Sequence, residues 1–152
     1  MIRRLKVWVA FLISLLLFSI CGNIMWGCLG KTGKQESVKF QQYFAVGEQL
    51  YVKNCSNCHQ KSGVGLGLLY PPLNTSDFMD KNPEKVICLI KYGIEGELLV
   101  NGSHYNKAMP GIPSLTELEI AEISTYLFNS WGRKNGIIET ERVSRTIEHC
   151  QD

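Results

Sequence analysis

Asn54-Cys55-Ser56-Asn57-Cys58-His59-Gln60 is the stretch on which the reading of this chain turns. Two cysteines separated by two residues, with a histidine directly after, form the arrangement through which two thiols add across the vinyl groups of a haem while the adjacent imidazole reaches the iron. One helical turn presents both sulfurs to the same porphyrin edge, and the next residue projects beneath the ring. With 6 Cys and 3 His in 152 residues, random placement would produce the pentapeptide about once in 200 such chains. Three other uses of the cysteines stay open. A thioredoxin-like pair wants a strand before the motif and a parallel βαβ pattern around it, which the flanks lack. A zinc site could join Cys55 and Cys58 to His149 and Cys150, at unusual spacing and with His59 idle. A disulfide between cysteines so close gains little loop entropy.

Upstream of the motif, Phe44, Gly47, Leu50 and Tyr51 recur at three- and four-residue spacing, which predicts a helix from Tyr43 to about Asn54. Downstream, Gln60 to Asp80 loses all periodicity in a run of Gly63, Gly65, Gly67, Pro71, Pro72, Asn74 and Ser76. A compact domain rarely tolerates so long a loop unless it wraps something. A second helix opens with Asn82 as N-cap and Pro83 at its first position, carries Val86, Ile87, Leu89 and Ile90 as its buried stripe, and stops at Gly93. Asn101-Gly102 marks a tight turn. After Met109-Pro110-Gly111, Thr116 and Glu119 form a capping box for a third helix with Leu118, Ile120, Ile123, Tyr126 and Leu127 on its apolar face. A short helix is expected from Thr140 to about His149, and no strand signal is convincing.

These residues resemble the class I (monohaem) cytochrome c family over Tyr43 to Trp131: a helix leading into Cys-x-x-Cys-His, a loop crossing the haem edge, a middle helix, a methionine loop and a closing helix. The resemblance implies an all-α fold of about three main helices around one covalently bound haem c. Gly47 with Tyr51 and Tyr126 match the family's crossing of first and last helices. Pro71-Pro72-Leu73 is similar to the segment whose proline carbonyl accepts the proximal imidazole's other hydrogen, a bond that would orient His59 and fix its tautomer. By the same match Cys55 and Cys58 hold the haem and Met109 is the sixth ligand opposite His59. A soft, neutral thioether paired with imidazole raises the reduction potential. Met79 and His104 are the rival ligands. Tyr70, Tyr105 and Trp131 are candidates to line the haem, and Cys88, on the apolar stripe of the middle helix, could pair with Cys150 in an oxidising compartment.

At the N-terminus Arg3, Arg4 and Lys6 precede an apolar run from Val7 to Ile20, the layout of an export signal. Continued to Leu29, the run reaches the roughly 20 residues that a membrane span needs, and acylation at Cys21 or Cys28 is a third outcome. Every version places the remainder on the periplasmic side, tethered to a membrane in two of the three. The expected organisation is a signal or anchor over 1–29, a polar linker over 30–42, a cytochrome domain over 43–131 and an extension over 132–152. Of the formal charge of +2, three positive charges lie in the leader, leaving 13 basic against 14 acidic residues from Lys31 onward. No basic field is left to attract nucleic acid. A six-coordinate iron also leaves no position for a small-molecule substrate. The expected function is outer-sphere transfer of single electrons between redox proteins of a respiratory chain. Its alternatives are a haem-bearing docking subunit of an oxidase, dehydrogenase or nitrite reductase, or, if Met109 does not ligate, a gas-binding or peroxidase-like protein.

Overall fold

A computed structural model describes residues 32–150; the signal or anchor expected over 1–29, with Cys21 and Cys28, lies outside them. The described residues from 39 onward form one compact unit. The helices are α1 (Thr32–Asn54), α2 (Ser56–His59), α3 (Asp77–Lys81), α4 (Pro83–Tyr92), α5 (Glu117–Leu127) and α6 (Thr140–Glu148). Four strands of two or three residues complete the described elements: β1 (Gly93–Ile94), β2 (Leu98–Val100), β3 (Ser103–Tyr105) and β4 (Met109–Pro110). The architecture is the helical one expected from the sequence, and among the described residues no helix is long and apolar enough to cross a membrane.

Three elements depart from expectation. Helix α1 starts at Thr32 and not at Tyr43, so most of the polar stretch read as linker is helical. Lys39, Gln41 and Gln42 are straight-chain helix formers that need no apolar stripe to extend a helix already nucleated by packing. Inside the supposed loop, Ser76 caps α3 by accepting a hydrogen bond from the Met79 N–H. The small strands were unforeseen because they are held by backbone pairing alone: β1 runs antiparallel to β4 with Ile94 opposite Met109, and β2 pairs with β3 across the Asn101-Gly102 turn. Both turn residues have positive φ, 51° and 74°, the geometry that favours Asn-Gly between two strands.

Capping follows the sequence closely. Thr116 and Glu119 form the reciprocal capping box of α5, and Gly93 closes α4 with φ 77°. Asn82 does precede α4, but its side chain donates to the Phe78 carbonyl at 2.8 Å and so closes α3 instead.

The core lies between α1, α4, α5 and α6, centred on Tyr51, Ile87, Ile120, Ile123, Phe128 and Val143. Val143 and Ile138 belong to it, which makes the stretch after Trp131 a strap across the core. Cys88 and Cys150 are joined by a disulfide, 62 residues apart, anchoring that strap to α4. A loop of this size is worth about 4 kcal/mol on the chain-entropy account.

Helices α1 and α5 cross at Gly47. A β-carbon there would lie 2.0 Å from the Glu122 carbonyl oxygen and 3.0 Å from Tyr126 Cβ, so only glycine admits the contact. Around the crossing Tyr126 packs on Phe44 and on Tyr51, each at 5.2 Å between ring centroids, and Tyr51 meets Trp131 at 5.8 Å. Gly47→Ala forces two backbones apart and is expected to cost about 3 kcal/mol, read as a lower urea midpoint; an unchanged midpoint would contradict the crossing.

Candidate haem-binding site

Cys55 caps α2, the single turn that carries the motif, and the His59 and Cys58 N–H groups both donate to the Cys55 carbonyl. The two cysteines carry free thiols and are half-buried. His59 follows at 8% exposure. The chain then reverses through Gln60, whose φ is 63° although it is not glycine, and whose carbonyl accepts the Tyr51 hydroxyl at 2.6 Å. Backbone bonds tie the following loop together: Gly65 donates to the His59 carbonyl, while Leu73 and Asn74 both donate to the Gly63 carbonyl. A side chain at Gly63 would collide with the Trp131 indole.

That folding delivers Pro71 to the imidazole. His59 Nδ1 lies 3.0 Å from the Pro71 carbonyl oxygen, and because a carbonyl only accepts, Nδ1 carries the proton and Nε2 keeps its lone pair. Burial holds the His59 pKa below its usual value, against the opposing pull of the Pro71 bond. The imidazole is therefore neutral near pH 7 and oriented as a metal ligand must be. Burial, reinforced by Cys58, pushes the Cys55 thiol up to about 11.

Beside the motif lies an apolar crevice in two adjoining parts, holding about 560 Å³ and 480 Å³ of space free of atoms, some of it open to solvent. The inner part is walled by Tyr51, Cys55, Leu73, Phe78, Met79 and Leu127, and the outer by Cys58, Tyr70, Tyr105, Lys107 and Ala108. His59, Pro71, Leu98 and Met109 line both parts and so stand at their junction. Met109 is placed there by the β1–β4 pair, which needs Gly93: a β-carbon at that position would sit 2.3 Å from the Met109 carbonyl.

The rival ligands are placed differently. Met79 is 2% exposed but lines the inner part alone. His104 stands on β3 with its side chain 64% exposed, 2.9 Å from Glu97, and lines neither part. His149 is exposed and Cys150 is committed to Cys88, which removes the zinc arrangement. Among the described residues no group of three or more His, Cys, Asp or Glu could hold a metal ion. Tyr70 and Tyr105 do line the crevice, whereas Trp131 packs behind it on Tyr51 and Gly63.

The residues present fit haem c. Two free thiols and a neutral imidazole with one fixed nitrogen face an apolar crevice that a thioether also lines.

A mainly helical scaffold with such a site defines a covalent haem protein. A family model described as "Cytochrome C oxidase, cbb3-type, subunit III" matches residues 43–127. The chain belongs to the cytochrome c family, whose cofactor is covalently bound haem c. It is 32% identical over 92 residues to cytochrome c-552 of Thermus thermophilus, covering 58% of this chain and 70% of the relative. It is 34% identical over 91 residues to the cytochrome c subunit of a quinone alcohol dehydrogenase from Gluconacetobacter polyoxogenes, covering 58% of this chain but 19% of that subunit. The chain thus spans under a fifth of the length of the dehydrogenase subunit it matches.

One residue escaped the sequence reading. Arg133, in the extension, has a side chain 11% exposed; its Nε donates to Asp80 at 2.6 Å and its terminal nitrogens donate to the Asn74 and Ser76 carbonyls. It locks the extension to the loop and to α3 behind the inner crevice. A Gly-Arg pair after an aromatic is not distinctive, so no local signal could have singled it out. Arg133→Ala removes charge-assisted bonds from two carbonyls and is expected to cost about 2–3 kcal/mol, measured by denaturant unfolding of the haem-loaded protein; a loss below about 0.5 kcal/mol would mean the clamp is idle.

Proposed function

We propose that this chain is a single-electron carrier of a respiratory chain outside the cytoplasm, with haem c attached through Cys55 and Cys58 and ligated by His59 and Met109. The reading rests on one observation above the others: His59 and Met109 both stand where the two halves of the crevice meet. Haem c, when bound, supplies the one-electron couple. The protein's own contribution is to hold and shield it. Cys55 and Cys58 fasten the cofactor, Pro71 fixes which nitrogen of His59 is available, and the β1–β4 pair presents Met109. Apolar walls from Leu73, Phe78, Leu98 and Leu127 exclude water, which limits reorganisation and raises the potential.

The loop after the motif suits a docking role. Val64, Leu66, Leu68 and Leu69 are 46–73% exposed, on a loop whose backbone is tied to His59 and braced by the Leu66–Tyr70 bridge. A rigid apolar rim beside the cofactor crevice fits a partner approaching the haem edge. Export through the leader and a tether to the membrane belong to this proposal. The dehydrogenase relative favours a second reading, in which the same domain serves as a docking subunit of a larger redox enzyme.

Ligation is tested by absorption spectroscopy of the ferric protein. The account expects a far-red thioether-to-iron band that vanishes in Met109→Ala, with conversion to high-spin iron and ready carbon monoxide binding after reduction, and persists in Met79→Ala. Loss of the band in Met79→Ala alone would reassign the ligand.

A further inference from the structure

A second concavity lies behind the crevice, in a groove between α4 and α6 with about 1680 Å³ of space free of atoms, much of it open to solvent. The Cys88–Cys150 disulfide and Leu89 line it, with Tyr92 and Ile94 at one end. Lys85, Arg145, Arg142 and His149 supply the polar lining, and Glu84 is the one acidic group there, paired with Arg142. Lys85 and Arg145 are exposed and form no ion pair with any described residue. His149 has one ring nitrogen 2.8 Å from the Arg145 carbonyl, leaving the other for a ligand. With His149 neutral the groove carries a charge of +2, whereas the chain from Lys31 onward carries −1. The lining of the groove is therefore more positive than the chain as a whole.

Shape narrows the occupant. The walls are helices of 10 and 9 residues, so the groove is bounded along about 14–15 Å, longer than one small anion requires. Apolar surface in the middle and cations at the sides match a peptide segment in which acidic side chains flank an apolar one. The disulfide fixes the spacing of the walls, so binding does not have to order them first. We propose that this groove is a docking site for an acidic, apolar-centred segment of a partner protein.

The groove also adjoins the crevice. Leu89 lines both the groove and the inner crevice, and Ile94 lines both the groove and the outer crevice. A segment seated there is separated from the crevice by one layer of side chains, while the Val64–Leu69 rim stays open for electron exchange. The assignment is independent of which residue ligates the iron.

The test uses the haem-loaded full chain and an acetylated peptide of alternating glutamate and leucine, followed by calorimetry and by amide shifts of the reduced protein. Saturable binding with shifts confined to α4 and α6 is expected, weakened roughly tenfold or more by Lys85→Glu with Arg145→Glu and similarly by raised salt, with unchanged melting temperature and haem spectrum. A peptide with glutamine in place of glutamate should not bind. The proposal is overturned by absence of saturable binding, by equal binding to the double variant, by shifts on the Val64–Leu69 rim, by association only with vesicles of anionic lipid, or by self-association blocked by the same substitutions.

Discussion

A buried imidazole offered as a metal ligand must be neutral, must have its proton on a known nitrogen and must be unable to turn away. Burial keeps His59 neutral, and one contact, the bond from Nδ1 to the Pro71 carbonyl, meets the other two conditions. Much of the architecture exists to keep that contact. Tyr51 ties down Gln60, where the chain reverses; Gly63 gathers the far end of the loop through Leu73 and Asn74; and Trp131 rests against Gly63 from behind. Each of these partners comes from a different part of the chain, so the orientation of one ring is a property of the whole fold.

The scaffold shows the same economy. Crossing α1 over α5 at a glycine brings the helices close enough for Phe44, Tyr51, Tyr126 and Trp131 to share one aromatic cluster. Such ring pairs add about 0.5–1.5 kcal/mol each beyond area burial, at the point where α1 hands over to the motif. The extension closes the opposite side, with Val143 and Ile138 in the core, Cys150 bonded to Cys88 and Arg133 holding the loop. The result is a protein with an apolar rim on the cofactor side and a basic groove behind it.

Much of this was legible in the residues because the decisive signals are local. The motif, the Thr116–Glu119 box, Pro83, Gly93 and Asn101-Gly102 each act within a few positions, and each does what its chemistry requires. Gly47 and Pro71 were readable only by likeness to a family, since what they touch is far away in sequence. What escaped reading depends on distant partners with weak local signatures. Arg133 is an ordinary cation until Asp80 and two carbonyls surround it, and β1 is two residues of backbone until Met109 lies opposite. Helix α3 had its cap, Ser76, in plain view, but the glycines and prolines before it outweighed that single signal.

The central claim is that a haem is fastened to this chain through Cys55 and Cys58. Denaturing electrophoresis with a peroxidase stain, run on protein matured beside the bacterial attachment machinery, tests it most directly, together with the intact mass. The account predicts stained protein heavier by one haem, and a Cys55→Ser, Cys58→Ser variant with neither stain nor added mass. Unsubstituted protein that runs unstained at the mass of the bare polypeptide would contradict it.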